Sequence, residues 1–222
     1  MAVRIDCPPR LIRAVLFDFD GTLADSYAAI TASINHVRAA HGLLPLSEDE
    51  VRKFVGRGPA YLLGHTVPGS DVDADYALYR AHHPAVMRAG TRLLPGAAEL
   101  LVRLKELGLR LAVCSNKPVG YTRALLADFA VAASFDTVLG PEDVGQPKPA
   151  PDMLQAALAR LGVTAEEALY IGDMTVDIET ARGAGVAVWV VPTGSDSREA
   201  LTAGKPDRIV NDLAELAMLL NQ

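Results

Sequence analysis

Five short apolar runs, each cut off by a polar or glycine-containing turn, constrain the fold of this chain more than any other feature. They are Ala14 to Phe17, Leu109 to Cys114, Thr137 to Leu139, Ala168 to Ile171 and Val186 to Val191. Runs of this length without polar alternation predict strands buried on both faces. From residue 93 onward they are separated by amphipathic stretches with helix punctuation. Pro95 and Pro151 fall where a first helical turn starts, and Gly108 and Gly162 where those helices stop. Strand and helix in alternation predict an α/β fold, a Rossmann-like parallel-sheet core with helices on both faces. Ligands of such sheets bind at the carboxyl ends of the strands.

Residues 25 to 92 break the alternation and read as helices only, with Tyr27 to His41, Glu48 to Val55 and Asp71 to Ala89 as candidates. Pro45, the segment Gly56-Arg57-Gly58-Pro59 and Pro68-Gly69 interrupt them. This stretch holds 7 acidic and 7 basic residues, so the net charge of -6 belongs to the remainder of the chain. The expected organisation is a catalytic core from residues 1–24 and 93–222, with a helical cap domain of residues 25–92 inserted after the first strand. No internal repeat or low-complexity tract is evident.

Several function classes are excluded on the same terms. Basic residues are scattered singly or in pairs, so no stripe exists to track a nucleic-acid backbone. The apolar runs are far short of the roughly 18 residues that suggest a membrane span, and the stretch Met1 to Pro9 has no apolar signal core, so a cytoplasmic protein is expected. Cys7 and Cys114 fit neither a disulfide framework nor a CxxC site and are read as free thiols. The five histidines, His36, His41, His65, His82 and His83, include no i, i+4 pair on which a zinc-binding helix could be built. They read as surface or packing residues.

The residues that carry chemistry stand just beyond the strand ends. Asp18 and Asp20 flank one residue at the end of the first run, in Asp18-Phe19-Asp20-Gly21-Thr22. Two such charges in a poorly solvated cleft need a cation, a proton or a donor beside them, although Asp-Gly is also an ordinary turn. A second pair, Asp173 and Asp177, follows the run ending at Ile171; read alone, Asp173 is a helix cap and Asp177 a surface acid. If these strands are neighbours, four carboxylates converge, and oxygen-only ligation suits Mg²⁺. Ser115 and Asn116 follow a third strand and offer a hydroxyl and amides near a helix start, either an anion site or a turn. Lys148 sits in the proline-stiffened loop Gln146 to Asp152, presented to a phosphate oxygen or left to solvent.

In order and spacing these four elements resemble the motifs of the haloacid dehalogenase-like superfamily of phosphotransferases, over Arg13 to Leu220. The segments Ala112 to Pro118, Lys148 to Asp152, Ala168 to Asp173 and Val55 to Gly58 look most like its phosphoglycolate phosphatase group. The resemblance implies Asp18 as nucleophile, Asp20 as general acid and base, and Ser115 and Lys148 as phosphoryl binders, with Thr22 and Asn116 beside them. It implies Mg²⁺ held by Asp18, Asp20, Asp173 and Asp177, with Asp177 in a supporting place. A dehalogenase needs no acid two residues after its nucleophile, so Asp20 points to phosphoryl transfer. In the cap, Arg57 between two glycines is the candidate contact for a substrate carboxylate. The expected partner is a small phosphorylated metabolite, probed first with 2-phosphoglycolate, and the chain is expected to act as a monomer or homodimer. A sugar-phosphate phosphatase or a phosphomutase remains open on the same scaffold. A phosphoaccepting signalling module fits less well, because such a module has no insert after its first strand.

Overall fold

The computed structural model describes residues 2–220; Met1 of the N-terminal stretch and residues 221 and 222 of the core span lie outside the described residues. The chain opens with a hairpin of β1 (Val3–Asp6) and β2 (Pro9–Ile12), followed by β3 (Ala14–Phe17) and the short β4 (Ala24–Asp25). Four helices come next: α1 (Tyr27–Ala40), α2 (Glu48–Arg52), α3 (Pro59–Thr66) and α4 (Val72–Val86). After β5 (Arg92–Leu93) the order is α5 (Ala97–Glu106), β6 (Arg110–Cys114), α6 (Val119–Asp128), β7 (Thr137–Leu139) and α7 (Asp152–Leu161). The chain continues through β8 (Ala168–Gly172), α8 (Thr175–Ala184), β9 (Ala187–Val190), α9 (Arg198–Gly204), β10 (Arg208–Ile209) and α10 (Leu213–Leu219).

Six strands form one parallel sheet in the order β10-β9-β8-β3-β6-β7. Side chains alternate across it. Val15 and Phe17, Leu111 and Val113, Leu169 and Ile171, and Ala187 and Trp189 enter one core layer. Ala14 and Leu16, Ala112 and Cys114, Ala168 and Tyr170, and Val188 and Val190 enter the other. Burial on both faces accounts for the unbroken apolar runs. The central position of β3 follows from its two partners: Phe17 is in register with Val113 of β6 and Ile171 of β8. The three strands therefore end level, and the residues just past them meet.

The helical insert has a core of its own, built from Ile30, Ile34 and Val37 of α1, Val51 of α2, Leu62 and Leu63 of α3, and Tyr79 of α4. Helix α2 begins with a capping box in which Ser47 accepts from the Glu50 amide and the Glu50 carboxylate accepts from the Ser47 amide. Asp71 caps α4 by accepting from the Ala74 amide. The chain enters and leaves the insert through β4 and β5, which pair antiparallel with Ala24 opposite Leu93 and Asp25 opposite Arg92.

Three elements differ from expectation. Helix α3 starts at the last residue of a segment read as an interruption and fills a stretch given no helix candidate: Pro59 is its first residue, where a missing N–H costs nothing, and Gly58 precedes it at φ 88°. The N-terminal stretch, read without a strand, forms the β1–β2 hairpin and adds Val3, Ile5 and Ile12 to the core. The indole N–H of Trp189 donates to the Cys7 carbonyl at 2.6 Å and ties the hairpin to β9. Pro95 lies one residue outside the helix start, because Gly96 at φ 82° makes the turn into α5.

Candidate active site

Asp18 continues the sheet by one hydrogen bond, donating its amide to the Ile171 carbonyl at 2.9 Å. The chain then turns sharply, with the amides of Leu23 and Ala24 both directed to the Phe19 carbonyl. Gly21, at φ 84°, is required twice: a Cβ there would lie 2.5 Å from Asp173 Oδ2 and 2.6 Å from the Tyr27 hydroxyl. The turn thus places Asp18 and Asp20 at the mouth of the sheet, 2% and 9% exposed.

Asp18, Asp173 and Asp177 form one buried cluster, with one oxygen of each lying within 4.8 Å of the others. Lys148 is anchored among them: its ammonium lies 3.0 Å from Asp18 Oδ1 and 2.7 Å from Asp177 Oδ1, and donates to the Tyr170 hydroxyl at 3.0 Å. Burial alone would lower the pKa of Lys148, but the charges of Asp177 and Asp18 hold it above its ordinary value. Burial pushes Asp18 up to about 6 against the opposing pull of Lys148. Burial, then the like charges of Asp177 and Asp18, raises Asp173 well above the usual carboxylate range.

The cluster tests whether a divalent cation fits. Three carboxylates face one ammonium in a site shielded from water, so with all three ionised two negative charges are uncompensated. Asp18 Oδ1 accepts no aligned hydrogen bond although Lys148 stands beside it. An oxygen-only donor set with two charges to neutralise fits Mg²⁺.

The four expected metal carboxylates are used differently. Asp20 lies outside the cluster: its oxygens face the Lys117 ammonium at 3.1 and 3.3 Å, and one also accepts from the Ser26 hydroxyl. Asp177 is in the cluster, but Oδ1 is contacted by Lys148 and Tyr170 while Oδ2 accepts the amides of Asp173 and Met174 at 3.1 and 3.0 Å. Of the three cluster carboxylates, Asp18 is the one with an oxygen that accepts no hydrogen bond. Asp173 is itself held by the Thr22 hydroxyl at 2.9 Å and the Ser195 amide at 3.2 Å.

The expected phosphate-binding residues also divide. Ser115 lines the pocket beneath the insert, and its hydroxyl accepts from the Lys117 amide at 3.3 Å. Thr22 is fully buried and is spent on Asp173. The Asn116 amide donates to the carbonyls of Gly56 and Lys148 at 3.1 and 3.0 Å, and its oxygen accepts from the Lys148 amide at 2.9 Å. It clamps three loops together rather than facing the pocket with free donors. Arg57 is exposed and absent from the pocket wall; its guanidinium carbon lies 5.7 Å from the Tyr61 ring centroid.

Sequence reasoning missed Lys117, Tyr170 and the loop Thr193-Gly194-Ser195-Asp196. Lys117 precedes a proline as Lys148 does, which was the available signal. Tyr170 reads as one more apolar strand residue. In the loop, Thr193 donates to the Gly21 carbonyl, Ser195 to Asp173, and Asp196 accepts from the Thr175 amide at the start of α8. No helix among the described residues is long and apolar enough to cross a membrane.

Comparison with known proteins agrees with this geometry. Residues 15–191 match the haloacid dehalogenase-like hydrolase family. The phosphoglycolate phosphatase of Rhodospirillum rubrum is 39% identical over 215 residues, spanning 92% of this chain and 89% of that protein. A solved haloacid dehalogenase-like hydrolase of Bacteroides fragilis superposes with a TM-score of 0.88 at 32% identity, over 92% of this chain and 99% of its own. CbbY of Rhodobacter sphaeroides, solved in complex with phosphate, gives 0.82 at 27% identity over 95% of this chain and 100% of its own.

Proposed function

Because the chain belongs to the haloacid dehalogenase-like hydrolases and is a phosphoric monoester hydrolase, we propose that it hydrolyses 2-phosphoglycolate through a phosphorylated Asp18, with Mg²⁺ at the carboxylate cluster. The observation that carries this reading is the buried set of Asp18, Asp173 and Asp177 around one lysine, at the level ends of neighbouring strands.

Uncatalysed hydrolysis of a phosphate monoester is so slow that an enzyme must supply on the order of 20 kcal/mol of transition-state stabilisation. Charge neutralisation and positioning must provide most of it. An Asp18 oxygen attacks phosphorus and forms the aspartyl phosphate. Lys148, 3.0 Å from Asp18, screens the phosphoryl oxygens that would otherwise repel a carboxylate. The Ser115 hydroxyl binds one of those oxygens. Asp20 gives its proton to the departing oxygen and later takes one from the water that hydrolyses the intermediate. Asp177 and Tyr170 orient Lys148; Thr22 and the Ser195 amide orient Asp173. A bound Mg²⁺ on Asp18 and Asp173 would supply further neutralisation of phosphoryl charge. The helical insert shields the reaction from water. The two free thiols suit a reducing, cytoplasmic setting.

The test is phosphate release from 2-phosphoglycolate by the wild type and by Asp18→Asn, with EDTA and then Mg²⁺ added back. A kcat/KM above roughly 10⁴ M⁻¹s⁻¹, lost in the variant and on chelation and regained with Mg²⁺, is the expected result. Asp18→Asn activity above about one per cent of wild type would remove Asp18 as nucleophile. Full activity after chelation would remove the metal. Rapid cleavage of sugar phosphates with slow cleavage of 2-phosphoglycolate would move the substrate while leaving the mechanism intact.

A further inference from the structure

The pocket beneath the insert is asymmetric in charge. Its core wall carries Asp18, Asp20, Ser115 and Lys117. The insert lines the pocket with Ile30, Val55, Leu62 and Tyr79 among others, and Tyr121 of the core also lines it. Arg57 and Lys53 of the insert are exposed and do not line it. The neighbouring imidazole, His83, packs against the Tyr79 and Tyr121 rings at 4.9 Å each. Burial, then the charge of Lys117, pushes His83 down to about 3 and keeps it neutral. Among the described residues that line the pocket, Lys117 is therefore the one cation.

Lys117 is 7% exposed and belongs to the loop after β6. Its ammonium has three N–H donors, of which Asp20, at 3.1 and 3.3 Å, engages at most two. In the proposed mechanism Asp20 meets the ester's leaving oxygen, so the ammonium stands one hydrogen bond beyond Asp20 on the leaving-group side. In a 2-(phosphooxy)carboxylate the carboxylate carbon lies two bonds from the same oxygen, roughly 2.4 Å away at about 1.5 Å per bond and a tetrahedral angle. A distal phosphate further along a sugar would instead face the apolar wall of Ile30, Val55 and Leu62, where an uncompensated anion is costly.

We propose that Lys117 is the specificity-determining residue of this enzyme, pairing with the leaving-group carboxylate of a short 2-(phosphooxy)carboxylate in exchange for part of its contact with Asp20. The inference rests on the phosphatase reading and assigns the carboxylate contact to the core, not to Arg57.

The experiment compares 2-phosphoglycolate with ethyl phosphate, which carries a methyl group in place of the carboxylate. Wild type, Lys117→Met and Lys117→Arg are assayed with Mg²⁺. Wild type should prefer 2-phosphoglycolate by at least about 30-fold in kcat/KM, the scale of a charge-assisted hydrogen bond. Lys117→Met should bring the preference within about threefold, chiefly through KM, and Lys117→Arg should restore part of it. A fall in both rates through the lost Asp20 contact cancels in this ratio. Retention of the full preference by Lys117→Met overturns the proposal and leaves 2-phosphoglycolate as substrate. Absence of any preference in the wild type overturns the substrate reading, and this proposal with it. If Lys117→Met turns over neither ester, calorimetric binding of both to Asp18→Asn with and without Lys117→Met yields the same ratio, and its loss or retention decides the proposal in the same way.

Discussion

Asp18 and His83 are buried groups whose protonation acts on stability in opposite senses. The pKa of Asp18 is raised by burial from 3.8 to about 6, so its contribution is fully present at low pH and is lost as pH rises through about 6. His83 is lowered from 6.5 to about 3, so its contribution is present above 6.5 and is lost as pH falls toward 3. Both operate between about pH 3.8 and 6 in the metal-free protein. Thermal melts in EDTA across that range should show Asp18→Asn losing more stability on acidification than wild type, and His83→Gln losing less. Three parallel profiles would contradict both assignments. At Arg57, exposed beside Tyr61, Arg57→Ala should change KM for 2-phosphoglycolate by less than about twofold, and a tenfold rise would return the carboxylate contact to the insert. Asp18, Asp173 and Lys148 were legible because each stands directly beyond an apolar run or in a proline-stiffened loop. The partners of Thr22 and Lys117 were not, since Thr22 meets a carboxylate 151 residues away and Lys117 one 97 residues away, and no local pattern encodes either contact.

At the level of elements, five of the six sheet strands were readable because burial on both faces leaves apolar runs, whereas β10, two partly buried residues, leaves none; α1, α2 and α4 were readable from local punctuation. Helix α3 was not, because Gly58-Pro59 marks a turn and a helix start equally well. The loop between β9 and α9 was also illegible, although it shapes the site. Gly194 lies so close to Asp173 that a Cβ there would stand 1.5 Å from Oδ2. Gly194→Ala must therefore displace either the loop or the carboxylate. The expected result is at least a tenfold loss of Mg²⁺ affinity by calorimetry, with destabilisation of about 1–3 kcal/mol. Unchanged Mg²⁺ affinity would take Asp173 out of the metal site.

Across the whole molecule, insert and core meet around the pocket, and Asn116 makes one of the contacts between them. Its side chain joins the insert at Gly56 to the Lys148 loop of the core. Gly56 in turn packs against Met174, where a Cβ would fall 2.1 Å from the sulfur. Asn116→Ala should lower kcat/KM at least tenfold and expose the insert to limited proteolysis. Protection equal to wild type would show that the insert is held by its other contacts. How the two parts face each other was beyond reach of sequence patterns, which report on a helix or strand but not on the seam between two separately built cores.

The paired β4 and β5 strands also make the insert separable. Asp25 and Arg92 face each other across that ribbon, joined by a 2.7 Å ion pair, so the insert leaves the core at almost the same point where it enters. Strands so placed can be closed by a two-residue hairpin turn. Chain topology would thus let a different helical module, or a bare turn, be grafted at this junction without rethreading the parallel sheet.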